Sequence, residues 1–149
     1  MVFRVFFDWR GALLSSRMTE GQTDLAVLLR SMEPVLHPDE FVFCTVTDAA
    51  GAEALGSFRE AEGVTLICRR GEAERCGLAF TFPCKMITLN VHSNLQAVGF
   101  LAVVAGELAR AGIAVNVISA YFHDHLFVAL QDAGHAISIL RKIQGEAQL

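Results

Sequence analysis

Residues 86–143 read as strand, helix, strand, strand, helix, and no fourth strand follows the last helix. Residues 86–92 alternate, with Ile87, Leu89 and Val91 on one face and Thr88, Asn90 and His92 on the other, the period of a half-buried strand. Residues 114–122 and 126–130 form two further strands. The connection between them, His123-Asp124-His125, is so short that the pair must be an antiparallel hairpin. The last helix turns Ala133, Ala136, Ile137, Leu140 and Ile143 inward, with Asp132 as its cap. Arg141 and Lys142 fall in its final turn, where the helix dipole favours cations. Helices on one face of an antiparallel sheet, in a ferredoxin-like α+β layer, satisfy this order. The missing strand must then come from the first half of the chain or from a partner chain.

The helix inside this series opens on Ser93 as N-cap with Gln96 three residues on, the capping-box pattern. It runs to about Ala111, and Gly112 stands where a left-handed terminator belongs. That start puts Leu95, Val98, Ala102, Ala105 and Ala109 on the core side. Gln96, Phe100, Val103, Glu107 and Arg110 then face away from it. Phe100 and Val103 on a solvent face predict a domain or subunit contact there.

The first half is less regular. Residues 23–32 carry Leu25, Leu28, Leu29 and Met32 at helical spacing, and Pro34 ends that helix. A β-rich run, FVFCTV at 41–46, precedes a turn-like DAAG. Residues 53–62 are read as a helix stopped by Gly63, residues 64–68 (VTLIC) as a strand and 71–76 as a short helix. Pro34, Pro38 and Pro83 are all read as element boundaries.

Composition excludes several classes. The chain has 149 residues, 53% of them apolar and 19% charged, which rules out intrinsic disorder and leaves apolar surface for a partner. A net charge of −4 argues against a protein built to grip nucleic acid. No run approaches the roughly 18 apolar residues of a membrane span. Arg4, Asp8 and Arg10 interrupt the apolar N-terminus, so no secretory leader is read there. Cys44, Cys68, Cys76 and Cys84 contain no CxxC pair and fit no zinc template, and are read as reduced thiols of a cytoplasmic protein.

The run KMITLNVHSNLQAVGFLAVVAGELARAGIAVNVISAYFHDHLFVAL resembles the amino-acid-binding ACT domain. More narrowly, it is similar to small stand-alone bacterial tandem-ACT proteins related to the aspartokinase regulatory region. TDLAVLLRSMEPVLHPDEFVFCTV and FREAEGVTLI resemble the first half of the same family. The resemblance implies two ferredoxin-like ACT units packed together, residues 23–84 and 85–149, behind an N-terminal extension of residues 1–22. Residues 1–17 precede the family-like part: either translation begins at Met18 or VFRVFF adds an edge strand. The family implies a regulatory or sensor protein that binds a small molecule, typically an amino acid, at the interface between units. It implies no catalytic segment and no cofactor, and a homo-oligomer or a separate target protein as partner. Carried onto this chain, its ligand positions are His92, Ser93, Asn94, Leu95, Val98 and Gly99, then Asn116, Val117 and Ile118. Gly63, Val64 and Thr65 of the first unit are expected at the same interface.

Physical chemistry supports part of this set and tempers the rest. Free N–H groups at a helix start attract the carboxylate that every amino acid carries, and Gly99 permits close approach, although a capped helix with a packing glycine has the same sequence. Asn116, polar in an apolar strand, needs partners in a ligand or in a neighbouring loop. No carboxylate stands out as the partner of a ligand ammonium, and Asp124 is read as bracing the hairpin. His123 and His125, with His92, offer an alternative metal site if the segment is extended, but a turn would destroy that geometry. Glu60 and Glu62, two apart on a helix, would not face each other, and Cys84 beside Lys85 has no triad around it and is read as exposed. A ligand-independent interaction module, with Phe100 and Val103 as its contact, is the remaining alternative.

Overall fold

Two long strands that lie side by side organise the molecule. The computed structural model describes residues 20–47 and 51–148. In chain order the elements are α1 (Leu25–Ser31), β1 (Pro34–Val46), β2 (Ala54–Arg59), β3 (Val64–Arg69), α2 (Arg70–Arg75) and β4 (Phe80–Leu89), then α3 (Phe100–Arg110), β5 (Val115–Ser119), β6 (Asp124–Ala129) and α4 (Ala133–Glu146). One antiparallel six-stranded sheet has the order β2-β3-β1-β4-β6-β5. VFRVFF, Met18 and the DAA of the DAAG turn lie outside the described residues.

The missing strand is supplied from within the chain. β4, β5 and β6 form the first, second and third strands of the second unit, and Pro34, Val35 and Leu36 of β1 pair with Leu89, Thr88 and Ile87 to complete it. Reciprocally, the far half of β1 opens the first unit, β2 and β3 follow, and Phe80 and Thr81 of β4 close it against Cys44 and Phe43. Each long strand therefore serves both units, and a boundary drawn at residue 84 passes through the middle of β4. Register shifts between Leu36 and Glu40 and between Phe41 and Phe43 interrupt the pairing of β1 with β4, dividing the long strand between the two units. Pro38 and Pro83 sit at those shifts, inside strands rather than at their ends, where the absence of an N–H costs no regular ladder bond.

Among the described residues the helices all lie on one face, and the other is called the helix-free face in that sense. Three of them, α1, α3 and α4, cover the second unit around Leu28, Ile87, Leu89, Val104, Leu126 and Leu140. Over Val42, Cys44, Leu66 and Cys68 the first unit has, among the described residues, only the short α2. On the opposite face Phe41, Phe43, Phe82 and Phe127 pack edge to face, with centroids 5.6–6.1 Å apart, over Ile67, Cys84 and Met86. Cys84 is buried in mid-strand, not exposed, and burial pushes its thiol up to about 11, away from nucleophilic use.

Three local expectations are corrected. Residues 54–59 are the edge strand β2, not a helix: Leu55 and Phe58 are exposed, so there was no apolar helical face to bury, and pairing with β3 decides the conformation. The helix expected from Ser93 begins at Phe100, because the Ser93 backbone is taken by a parallel bridge to Gln22 and its hydroxyl by Asp124. The core side is thus Phe100, Val104 and Leu108, and Phe100 is no surface contact. The hairpin turns earlier than expected, with Ala120 N–H donating to the His123 carbonyl, so Asp124 and His125 already belong to β6. The last helix buries the five residues expected, but it runs on to Glu146, leaving Arg141 and Lys142 short of its last turn. Asp132 caps it without a side-chain hydrogen bond.

Candidate functional site

The loop between β4 and α3, residues 90–99, turns into the helix at its last residue. Gly99 there has φ +90°, a left-handed conformation that side chains resist. It places the start of α3 beside the first residue of β6. Val103 N–H is the first to bond back into the helix, to the Gly99 carbonyl at 3.0 Å. No side chain caps this end, and Phe100, Leu101 and Ala102, whose N–H groups precede that first helical bond, line a cavity of about 160 Å³.

Across the cavity stands Asp124, 3% exposed. Its carboxylate accepts hydrogen bonds from the Ser93 hydroxyl (2.9 Å) and the Ser119 hydroxyl (2.5 Å), one on each oxygen. A carboxylate has about four acceptor positions, so these two bonds leave two unfilled at a residue that lines the cavity. Among the described residues no lysine or arginine pairs with it. Asp124 does brace the hairpin through Ser119, as expected, but it also supplies the carboxylate that no motif had singled out. Its strand position is the signal: an acidic residue in phase with Leu126 and Val128 points under the helices.

The expected ligand positions divide into groups. Ser93, Asn94, Leu95 and Gly99 share the Asp124 cavity, and His92 lines an adjacent one that also touches Asn94 and Leu95. Val98 projects into solvent at the rim. On β5, Asn116 pairs with Phe127 and Ile118 with His125, which puts both on the helix-free face, while Val117 shares the helix face without lining the cavity. Gly63, Val64 and Thr65 are placed elsewhere: Val64 pairs with Val46, at the opposite end of β1 from Pro34, roughly 40 Å away at about 3.3 Å per residue.

The three histidines of the metal alternative are separately engaged. His125 Nδ1 meets the Thr88 hydroxyl at 2.9 Å, a hydroxyl also shared with His37 Nε2 at 2.9 Å. His123 Nδ1 lies 3.3 Å from the Val91 carbonyl, and the His92 ring packs on Tyr121 and Phe122. Among the described residues no three His, Cys, Asp or Glu side chains are grouped to hold a metal. Burial holds both His37 and His125 below the usual imidazole range, with His123 and His37 adding to the effect on His125.

Two ferredoxin-like units that share β1 and β4 in one antiparallel sheet, the second with an open helix start beside a buried acid, define an α+β module of paired layers. Models of the ACT domain match residues 20–85 and again residues 81–142, so the chain belongs to the ACT-domain family and carries two such domains in tandem. A Vibrio cholerae protein described as of unknown function, possibly a transport protein, is 41% identical. That match covers 80% of this chain and 95% of the other, with a TM-score of 0.74. An Agobacterium tumefaciens protein shares the fold at 15% identity (TM-score 0.64; 76% and 89% covered). The ligand-free regulatory subunit of aspartate kinase from Thermus thermophilus does so at 6% (TM-score 0.60; 77% and 97% covered). Among the described residues no helix is long and apolar enough to cross a membrane.

Proposed function

We propose that this tandem ACT protein is an amino-acid sensor, non-enzymatic and cytoplasmic, whose ligand sits between the start of α3 and Asp124. The carrying observation is that an open helix N-terminus and a buried acid with spare acceptor positions face each other across one cavity. The ligand carboxylate takes the free N–H groups of Phe100 to Ala102, and its ammonium takes Asp124. Ser93 and Ser119 hold the acid in place so that it needs no rearrangement on binding. Leu95 and Val98, 69% and 83% exposed, form an apolar rim that a second copy or a target protein would cover. Coupling to that partner requires the ligand to bind two states unequally.

The test is a thermal-shift screen of the purified chain against the twenty amino acids in metal-free buffer. A ligand at 100 times its Kd adds about 2.7 kcal/mol, which raises the midpoint by roughly 5–10 °C at this size. Asp124→Asn is expected to abolish that shift while leaving the unliganded protein folded. A flat screen, or a shift that Asp124→Asn leaves intact, overturns the reading.

A further inference from the structure

The segment that leads into α1 is fastened to both ends of the loop that carries Ser93. Near the loop's start, Gln22 N–H donates to the His92 carbonyl at 2.8 Å, and Asn94 N–H donates to the Gln22 carbonyl at 2.9 Å, a short parallel bridge around Ser93. This approach depends on the residue before it. A Cβ at Gly21 would stand 2.6 Å from Asn94 N and 2.7 Å from the Ser93 carbonyl carbon, both backbone atoms that cannot swing aside. At the loop's end, Leu25 Cδ2 lies 3.4 Å from where a Cβ would stand on Gly99, the residue whose left-handed turn starts α3. Residues 21–25 therefore form a strap along the loop.

Ser93 is held twice. The backbone on either side of it is fastened to Gln22, and its hydroxyl donates to Asp124 at 2.9 Å. Other bonds of the loop at this point are short-range, from Ala97 N–H to the Asn94 carbonyl and from Gln96 N–H to the Asn94 side chain. The strap is the anchor more open to water. Gln22, Thr23 and Asp24 are exposed, so water competes for its bonds, whereas Leu28 and Met32 are fully buried and keep the body of α1 in the core. Such a segment can lift locally while the helix behind it stays packed.

We propose that Gly21 and Leu25 are positioning residues for the Asp124 site: seating of the strap sets Ser93 against Asp124, and a ligand that holds the site in turn fastens the strap. The coupling runs equally in both directions, as linkage requires. The front of α1 is then the part of the fold through which occupancy is expressed. The ligand half of this rests on the amino-acid reading above, whereas the link between strap and Asp124 stands on the bridge and the Ser93 hydroxyl.

Carboxyl-carbon NMR and amide hydrogen exchange on the full chain test the link without any ligand. Gly21→Ala is expected to shift the Asp124 carboxyl resonance in the same direction as Ser93→Ala, and the double variant to add nothing further. Ser93→Ala is expected in return to speed exchange of the Gln22 and Asn94 amides by about tenfold, as loss of a hydrogen bond to a charged group does. The Met32 amide, bonded to the Leu28 carbonyl at 2.9 Å, should keep its rate. Leu25→Ala, which shortens the side chain resting on Gly99, is expected to move Asp124 as Gly21→Ala does, and it serves where Gly21→Ala does not fold. An Asp124 resonance unmoved in the strap variants, or Gln22 and Asn94 amides indifferent to Ser93→Ala, overturns the link and makes the strap a tether of α1 alone. A mixture of the twenty amino acids added to the wild-type chain tests the ligand half. Slower exchange at Gln22 and Asn94 supports it, and a thermal shift without that slowing overturns it. No thermal shift at all overturns the amino-acid reading and the ligand half with it, and leaves the strap link standing on the first two measurements.

Discussion

The two units share their strands yet differ at every point that a ligand would touch. Their β-hairpins turn alike: Glu60 N–H donates to the Gly63 carbonyl in one, and Ala120 N–H to the His123 carbonyl in the other. This makes Val64 the counterpart of Asp124 and Thr65 that of His125. Where the second unit follows its first strand with α3, the first unit has no helix between β1 and β2 among the described residues. Its hairpin therefore has neither an acid beneath a helix nor a helix start to face. The difference teaches that the two units share a sheet plan while the open helix start and its facing acid belong to one half. Within one chain Gly63, Val64 and Thr65 lie away from the Ser93 loop for the same reason, because pseudo-symmetry puts equivalent turns at opposite ends.

The comparison breaks first if the units are independently stable. Leu140→Ala in the second core and Leu66→Ala in the first are each expected to cost about 2–5 kcal/mol, since both side chains are fully buried. Because β1 and β4 belong to both units, each variant should lower one shared urea transition, read by circular dichroism and fluorescence together. Two separated transitions would show the units uncoupled.

A smaller effect follows from the His37–Thr88–His125 chain, which the first unit lacks because Thr65 stands in the histidine position. Both imidazoles have native pKa values lowered by burial, so the unfolded chain takes up protons first as pH falls. Stability is therefore full above about pH 6.5, declines as pH drops toward the lowered native values, and levels off below them. Urea midpoints between pH 8 and pH 5 should trace this decline, and His125→Asn should flatten it. A decline that persists unchanged in that variant would assign it to other groups.

The smallest effect sharpens the site itself. Asn116→Ala, on the helix-free face, is expected to change ligand affinity not at all and stability by less than about 0.5 kcal/mol. A binding loss there would relocate the ligand to the other side of the sheet.

Much of the fold was legible because it depends on local periodicity. The inward stripe of α4 and the hairpin of β5 and β6 are written in spacing alone. The Ser93 helix start was misread because the signals of a capping box are local, whereas Ser93 bonds to residues distant in sequence. β2 was misread for a related reason: its conformation is imposed by β3, and its own side chains bury little. The site was half legible. The loop after β4 carried its motif openly, but Asp124 acquires its place from burial under α3, which no local spacing announces.

The exchange of β1 and β4 also sets a timetable for synthesis. The Pro34–Leu36 end of β1 finds its ladder partner only when Leu89 has emerged, more than 50 residues later. At ribosomal rates of about 5–20 residues per second, that is on the order of 3–10 s. Through that interval the nascent chain exposes an unsatisfied strand edge bearing Val35 and Leu36, so the first unit, though made first, is not finished until the second has begun.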